Sequence, residues 1–186
     1  MKSSFKIINL IILAAIVGGV GFYAWQRSKL PQSELKLRAA TMKITSSAFE
    51  NNQQIPLKYT CDGQDINPPL EISEVPKETK SLVLIVDDPD APMGTWVHWL
   101  VWNIDPSIAK IEENSMPQGA VQGQNSFGKA PYGGPCPPSG THRYFFKVYA
   151  LDIKLELDSS ADKNALESVM EGHILDKAEL IGLYQR

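Results

Sequence analysis

The segment SLVLIVDDPDAP, residues 81–92, constrains the fold of this chain more than any other stretch. It begins with a continuous run of β-branched and aliphatic residues, which is typical of a strand buried on both faces. The run ends in aspartates and an Asp-Pro pair, which are common at turns. The sequence therefore predicts a buried strand at residues 81–88 that is followed by a polar turn.

Most of the chain after residue 42 has the pattern of a β domain. Two more long strands are predicted in TWVHWLVWNI, residues 95–104, and RYFFKVYALD, residues 143–152, and shorter ones in MKITSSAF and QQIPLKYT. The loops between them, notably residues 112–141, are rich in Gly, Pro and Asn. Strands that precede helices predict a mainly β, α+β domain with an antiparallel sheet and helices at one end.

The C-terminal segment from Ser160 to Tyr184 has a different pattern. Apolar residues recur there at roughly helical spacing, and Ser160 is placed to cap a helix. Because Gly172 interrupts the pattern, we expect one or two short helices. The residues at helical spacing are Ala165, Leu166, Val169, His173, Ile174, Ala178 and Leu180.

Residues 1–26 contain an apolar run flanked by basic residues. The run is about 18 residues long, close to the length of a membrane-spanning helix. We interpret it as a signal anchor, because Tyr23 and Trp25 suit a membrane interface, with a cleaved signal peptide as the alternative. Residues 27–41 are a predicted linker, and residues 42–186 the domain. We expect the domain to be membrane-anchored outside the cytoplasm, periplasmic or at the cell surface, or exported after cleavage.

Composition and cysteine count narrow the class of protein. The chain is 43% hydrophobic and 21% charged, as expected for a globular protein. Its net charge of −3, without a Lys/Arg-rich run, argues against nucleic acid as a partner. In an oxidising compartment its two cysteines, Cys61 and Cys136, could form one disulfide. We predict that disulfide, with two free thiols as the alternative.

Three carboxylates, Asp87, Asp88 and Asp90, lie at the end of the predicted buried strand. Residues two apart on an extended chain point the same way, so Asp88 and Asp90 could converge. A turn without further function is the alternative, since Asp before Pro is common at turns. A loop that follows a rigid strand is nevertheless a usual place for a binding site.

A histidine, His98, lies within the second long strand. A lone histidine in an apolar strand is more often a hydrogen-bonded core residue than a ligand group. A second histidine, His142, begins the third long strand, and neighbouring strands would bring both imidazoles and the aspartates to one cleft. Alternation on an ideal strand places Trp96, His98, Leu100 and Trp102 on one face, and Val97, Trp99, Val101 and Asn103 on the other.

The segment GGPCPPSGTHRY, residues 133–144, leads into that third strand. Its prolines fix backbone dihedrals and Gly140 permits a turn, which suits a preorganised cleft wall. Three kinds of chemistry fit the cleft. A metal could be held by His and Asp, Cys136 could be a nucleophile with His142 as base, or imidazoles, loop N–H groups and the Tyr144 hydroxyl could bind an anion. The spacing matches no metal-site or nucleophile motif.

These blocks together resemble one protein family. SLVLIVDDPDAP and TWVHWLVWNI, followed by GGPCPPSGTHRYFFKVYALD, are similar to the phosphatidylethanolamine-binding protein family, also called Raf kinase inhibitor-like. KYTCDGQDINPPLEI and NSFGKAPYGGPCPP resemble its bacterial branch. The resemblance covers residues 42–186. It implies a large antiparallel sheet packed on a smaller sheet, with short helices near the C-terminus.

The same resemblance implies a small cavity for phosphate and similar anions, and a cis peptide bond at Ala91–Pro92. It implies no cofactor, no metal and no catalytic residue, because the members are chiefly binding or inhibitory proteins. The residues that match the cavity wall of the family are Asp88, Asp90, His98, Pro137, His142 and Tyr144.

We therefore predict a non-enzymatic protein that binds phosphate-bearing small molecules or phospholipid headgroups and is tethered to a membrane by its N-terminus. The alternative is an inhibitor of a protease, peptidase or kinase that contacts a protein target through the cleft rim and a loop at residues 112–132. A third alternative is a hydrolase that depends on a metal or on the Cys136 thiol.

Overall fold

The structure, a computed structural model, describes residues 41–186. The predicted N-terminal helix at residues 1–26 and residues 27–40 of the predicted linker lie outside the described residues. Within residues 41–186, no helix has the length and apolarity needed to cross a membrane. The elements are β1 (Lys43–Thr45), β2 (Gln53–Gln54), a 3-10 helix (Leu57–Tyr59), β3 (Leu70–Ser73), β4 (Ser81–Asp88), β5 (Trp96–Ile104), β6 (Lys110–Ile111), β7 (Val121–Gln122), β8 (Thr141–Leu151), α1 (Lys163–Met170) and β9 (Ile174–Gln185).

Two sheets form the framework of the domain. The larger has six strands in the order β2-β9-β8-β4-β5-β7, antiparallel except where β2 runs parallel to β9. The smaller has three antiparallel strands in the order β1-β3-β6. Strand β4 lies inside the larger sheet, and all of its residues are buried. The predicted buried strand and the implied pair of sheets are confirmed.

Each face of the larger sheet covers its own apolar core. Leu84 of β4 belongs to a core that also contains Ile44 of β1 and Ile72 of β3, so the smaller sheet covers this face. Ile85 belongs to a second core, which includes Leu166 of α1. Because both faces are covered, β4 has a continuous apolar run instead of an alternating one.

Strand β5 contains a β-bulge at His98. Asp87 of β4 lies opposite Val97, whereas Val86 lies opposite Trp99, so His98 is one residue in excess. An extra residue reverses the alternation beyond it, so Val97 shares a core with Leu100 and Trp102 and not, as predicted, with Trp99 and Val101. The predicted groupings of Leu100 with Trp102 and of Trp99 with Val101 are confirmed. Beyond the bulge, the core under the smaller sheet contains Trp99 and Val101, and the core under α1 contains Leu100 and Trp102. A second register shift, opposite Leu82–Leu84, returns Ile104 to the core under the smaller sheet.

The backbone of His98 shows why the bulge forms there. Its carbonyl accepts hydrogen bonds from Gly133 N–H at 3.1 Å and from the side-chain amide of Asn125 at 3.2 Å. The loops at residues 124–135 thus supply partners that a regular strand ladder would otherwise supply. These partners are distant in sequence, and the local pattern of β5 gives no sign of them.

The C-terminal segment forms one helix followed by one strand. The helix α1 follows Asp162, whose side chain accepts a hydrogen bond from Ala165 N–H at 2.9 Å. The predicted cap at Ser160 is therefore wrong, and the hydroxyl of Ser160 donates instead to Asp158. Gly172, with φ of +81°, lies between α1 and β9, where the chain needs a left-handed residue.

Strand β9 occupies positions that were predicted to be helical. It pairs antiparallel with β8 over nearly its whole length, which satisfies its backbone N–H and C=O groups. Ala178 and Leu180 are buried at alternate positions, as a strand requires. The helical prediction for Ile174, Ala178 and Leu180 is wrong because pairing with β8 outweighs the local spacing.

The predicted disulfide between Cys61 and Cys136 is confirmed. The Cα atoms of the two residues are 5.5 Å apart, and 75 positions separate them in the sequence. The bond joins the turn after the 3-10 helix to the loop that leads into β8. Such a long covalent loop restricts the unfolded chain and contributes roughly 4 kcal/mol to stability in the chain-entropy description.

Candidate functional site

A cleft of about 370 Å³ opens at the end of β4. The turn after β4, the bulge of β5, the start of β8 and two loops form its walls. Most of the lining is apolar, with a carboxylate, two imidazoles and a phenol among it, as is usual for small-molecule sites. The lining residues are Asp88, Ala91, Pro92, Met93, Trp96, His98, Phe127, Cys136, Pro137, Pro138, His142 and Tyr144.

Asp88 and His142 form a buried pair in the cleft. Nδ1 of His142 lies 2.7 Å from Oδ2 of Asp88, and both side chains are less than 10% exposed. Oδ1 of Asp88 accepts the N–H of Asp90 at 2.8 Å. A carboxylate only accepts, so Nδ1 of His142 carries hydrogen and the carboxylate fixes the orientation of the ring. Nε2 of His142 is then the atom left to meet a ligand.

His98 is fixed by a backbone carbonyl and by two aromatic rings. Its Nδ1 lies 2.6 Å from the carbonyl oxygen of Gly133, which can only accept, so Nδ1 carries hydrogen. The ring packs edge-on against Phe127 and Tyr144, with centroids 5.4 and 5.2 Å away. Burial lowers the pKa of His98, which favours the neutral ring. The Nε2 atom of that neutral ring is a hydrogen-bond acceptor.

Tyr144 contributes a hydroxyl without a partner. Its side chain is fully buried, and no described residue meets hydrogen-bond geometry with the oxygen, although the backbone N–H of Cys136 is near enough to oppose weakly the rise in the pKa of Tyr144. Burial, and to a lesser degree the charge of Asp88, raise the pKa of Tyr144, so the phenol stays protonated. A buried hydroxyl without a partner is costly, and a bound ligand would supply that partner.

Asp90 lies outside the lining of the cleft. Its carboxylate accepts from the Arg143 guanidinium at 2.6 and 2.9 Å and from the Arg143 N–H at 3.0 Å. These bonds to Arg143 lower the pKa of Asp90 to about 2. Asp88 and Asp90 therefore do not converge on one ligand site as their spacing predicted. The turn bends after Asp88, and Asp90 instead ties the turn to β8.

The Cys61–Cys136 disulfide and several hydrogen bonds fix the loop at residues 133–140. Gly134 N–H donates to Asp65 at 2.6 Å, and Cys61 N–H donates to the Pro135 carbonyl at 3.1 Å. Pro137 of this loop is buried and lines the cleft, as the resemblance implied. The wall is therefore preorganised, which reduces the entropy lost when a ligand binds.

The turn that follows Asp90 is built around a trans proline. The described residues contain no cis peptide bond, so the implied cis bond at Ala91–Pro92 is wrong. Gly94 N–H donates to the Ala91 carbonyl at 3.1 Å, which closes a four-residue turn. Pro92 is the second residue of that turn, a position that suits a trans proline, whereas a cis proline belongs at the third.

Several lining residues escaped the sequence prediction, Phe127 and Met93 above all. Phe127 is carried by a loop that the Asn125 side chain organises, since its Oδ1 accepts the N–H groups of Phe127 and Lys129. The signal was the stretch NSFG, with Asn first and Gly fourth, which is typical of a turn that exposes its central residues. Which wall that turn would reach depends on long-range packing.

Two of the alternative chemistries lose support from the geometry. Cys136 is bonded to Cys61, so the thiol on which a cysteine hydrolase would depend is absent. Among residues 41–186, no three His, Cys, Asp or Glu side chains are grouped so that they could hold a metal ion. The polar groups that remain, two imidazoles and a phenol beside a carboxylate, are suited to hydrogen bonding with a small ligand.

Comparison with known proteins gives consistent results. A family model described as Phosphatidylethanolamine-binding protein matches residues 45–185. A UPF0098 protein of Methanothermobacter thermautotrophicus is 51% identical over 150 residues, covering 78% of this chain and 99% of the relative. A UPF0098 protein of Pyrococcus horikoshii is 46% identical over 195 residues, covering 100% of this chain and 91% of the relative.

Two solved structures share the fold. A putative phosphatidylethanolamine-binding protein homologue from Chlamydia trachomatis has a TM-score of 0.76 and 46% identity, covering 78% of this chain and 98% of that one. E. coli YbcL, described as a new member of the mammalian PEBP family, has a TM-score of 0.75 and 34% identity, covering 79% of this chain and 99% of that one.

Proposed function

Because the chain belongs to the phosphatidylethanolamine-binding protein family, we propose that it is a non-enzymatic binding protein whose cleft holds a phosphate-bearing small molecule or a phospholipid headgroup. Asp88, His98, His142 and Tyr144 would form the polar end of the site, and Pro137 and its neighbours the apolar walls. The size of the cleft, about 370 Å³, suits a headgroup-sized ligand.

The observation that carries the proposal is the buried hydroxyl of Tyr144, which has no hydrogen-bond partner among the described residues. An orphaned buried polar atom in a native fold calls for an explanation, and an absent ligand oxygen is one. His98 and His142 line the same cleft as Tyr144, and each has an Nε2 atom in addition to the Nδ1 that is already hydrogen-bonded. A tetrahedral anion with several oxygens could engage all three groups together.

Removal of the hydroxyl tests the proposal most directly. Tyr144→Phe keeps the ring that packs on His98 but deletes the donor, so affinity for inorganic phosphate and phosphoethanolamine should fall about tenfold. Isothermal titration calorimetry on the full chain measures it. Tyr149→Phe is the matched control, because Tyr149 lies on the same strand and belongs to the opposite face, beside the core under α1. Wild-type affinity in Tyr144→Phe would count against the proposed site.

The apolar segment at residues 1–26 would tether this domain to the outer face of the cytoplasmic membrane. The Cys61–Cys136 disulfide supports an oxidising compartment, because such bonds persist there. A tether raises the effective concentration of lipid-derived ligands near the cleft. Alkylation of protein isolated from cells without reductant tests the compartment: reactive thiols at both cysteines would contradict it.

Inhibition of a protein target is a second candidate, favoured by the exposed rim of the cleft. Met93 is 95% exposed and Phe127 is 40% exposed, and both line the cleft. Large apolar side chains at such exposure are typical of contact surfaces when they cluster. Met93→Ser should weaken a complex with an envelope protease more than it weakens phosphate binding, because Met93 lies at the exposed rim and not among the polar groups of the cleft. Equal capture by wild type and variant would remove this candidate.

A further inference from the structure

The cleft has acceptors and a hydroxyl but no fixed cation. Its lining contains the Asp88 carboxylate and two imidazoles, and neither lysine nor arginine within the described part of the chain. Arg143, the neighbour of His142, is engaged by Asp90 at 2.6 and 2.9 Å. A phosphate dianion would therefore share a desolvated space with a carboxylate and have no permanent positive charge to balance it.

His98 presents a lone pair to this space. The Gly133 carbonyl accepts the hydrogen on Nδ1 at 2.6 Å, so Nε2 of a neutral ring is unprotonated. The ring is only 3% exposed, and burial lowers its pKa. The charged groups around it are Asp88 of β4 and, across the sheet, Asp87, and the ionisable Tyr144 of β8 faces it at 5.2 Å.

Tyr144 supplies the complementary group. Its pKa is raised by burial, so the hydroxyl keeps its hydrogen and can donate to a ligand oxygen. The edge of the Tyr144 ring meets the ring of His98, which brings the two residues to the same wall. One ligand would thus meet an acceptor at His98 and a donor at Tyr144. A tetrahedral anion satisfies both only if one of its oxygens carries a hydrogen.

We infer that the cleft selects a phosphate that carries a proton: its P–O–H group donates to Nε2 of His98, and another of its oxygens accepts from the hydroxyl of Tyr144. The ligand class is then a phosphomonoester or inorganic phosphate. A phosphodiester, the form of phosphate in an intact phospholipid, has no P–O–H group. This inference rests on the proposed function and narrows it to one ionic form of one ligand class.

The physical basis of the selection is an unpaired lone pair. A phosphodiester or a sulfate would place an unprotonated oxygen against Nε2 of His98, or would require a proton on a ring whose burial disfavours the charge. In the first case the ligand loses a hydrogen bond and leaves a buried acceptor without a partner, and in the second case the buried ring must carry a charge. The expected penalty is about tenfold to a hundredfold in affinity.

Two ligand pairs test the inference on the wild-type chain. Calorimetry near pH 6.5, where a sizeable fraction of a monoester still carries its proton because its second pKa is about 6, would compare phosphoethanolamine with glycerophosphoethanolamine and phosphate with sulfate. We expect the first member of each pair to bind at least about tenfold more tightly. Equal affinity within either pair would overturn the inference and leave the proposed function intact. Absence of binding by all four would overturn both.

Repeating the calorimetry at increasing pH separates titration of the ligand from titration of the protein. Monoester affinity should fall by up to about tenfold for each pH unit above the second pKa of the ligand, which is about 6. The diester experiences the same protein titrations but has no ionisation in that range. The ratio of monoester to diester affinity should therefore shrink as the pH rises. A ratio that stays constant or grows would contradict the inference.

His98→Phe removes the acceptor and keeps an aromatic ring between Phe127 and Tyr144. We expect phosphate to lose its preference over sulfate, with monoester affinity falling to that of the diester. His173→Phe is the matched control, since His173 contacts Asp152 at 2.9 Å, is 42% exposed and does not line the cleft. Thermal unfolding curves check that both variants are folded. An unchanged preference in folded His98→Phe would exclude His98 as the acceptor.

Discussion

Asp87 and Asp88 are adjacent in the sequence, equally buried, and have opposite environments. Asp87 points to the face of the larger sheet that carries α1, where Lys147 and Lys163 contact its carboxylate at 2.7 and 2.6 Å. Asp88 points to the cleft, where its partners are the imidazole of His142 and a backbone N–H. One step along an extended chain separates the two environments.

The difference shows how one strand end can serve stability and binding together. Two ammonium groups contact the carboxylate of Asp87 and compensate its charge. The partners of Asp88 are an imidazole and a backbone N–H, and neither a lysine nor an arginine contacts its carboxylate among the described residues. The ion pairs of Asp87 therefore link α1 and β8 to β4, whereas the carboxylate of Asp88 and the imidazole of His142 face the ligand cleft.

The largest expected effect is at Asp87. Asp87→Asn leaves Lys147 and Lys163 without their buried counter-charge, and we expect a loss of about 3 kcal/mol in the free energy of unfolding. Urea titration of wild type and variant measures it. Glu167→Gln is the matched control, because Glu167 contacts the same Lys163 at 3.6 Å and is 48% exposed, and it should change stability by less than about 0.5 kcal/mol. Equal effects at the two positions would contradict a role for burial.

Asp88→Asn should cost less, about 1 to 2 kcal/mol. The amide oxygen of the asparagine can still accept a hydrogen bond from Nδ1 of His142, and no lysine loses its counter-charge. The same urea titration compares it with Asp87→Asn. If Asp88→Asn destabilised the domain as much as Asp87→Asn, the proposed contrast between the two environments would be wrong.

A smaller effect, confined to mildly acidic pH, is expected from His98. Its pKa is lowered in the folded state by burial, so the unfolded chain binds more protons as the pH falls below the ordinary histidine value of about 6.5. Stability should therefore decrease as the pH falls through this range. Urea midpoints between pH 7.5 and about 5 measure the slope, which should be shallower in His98→Phe. A slope unaffected by that substitution would assign the effect to another group.

The smallest effect is expected from Asp90→Asn, at most about 1 kcal/mol near neutral pH, because Arg143 is half exposed. The bonds to Arg143 lower the pKa of Asp90 to about 2. A lowered carboxyl pKa contributes stability above the unfolded value of about 3.9 that is lost as the pH falls towards the folded one. Wild type and variant should therefore converge between pH 4 and about 2. A difference that grows on acidification would contradict this assignment.

Features that depend on composition and short-range pattern could be predicted. The apolar run of β4, the strands around Trp99 and Phe146 and the turn after Asp88 follow from residue type and alternation. Asp88, His98, His142 and Tyr144 were candidates from residue type and position, and the resemblance to a family joined them with Pro137 into one cavity wall. Spacing by itself left a metal site, a thiol nucleophile and an anion site open.

The errors have a common origin in partners that are distant in sequence. The bulge at His98 depends on Gly133 and Asn125, and β9 exists because β8 lies beside it. Asp90 leaves the cleft because Arg143, 53 residues away, binds its carboxylate. In each case the local pattern was compatible with two arrangements, and long-range hydrogen bonds selected one.

The sequence by itself determined the three long strands β4, β5 and β8, the buried character of β4 and the presence of carboxylates and imidazoles near strand ends, because these follow from residue type and alternation. Only the tertiary structure decided which of these groups share a cleft and in which state. The Gly133 carbonyl leaves His98 an acceptor, and burial leaves the Tyr144 hydroxyl without a partner. The reason is that hydrogen-bond roles and desolvation depend on neighbours that only packing brings together.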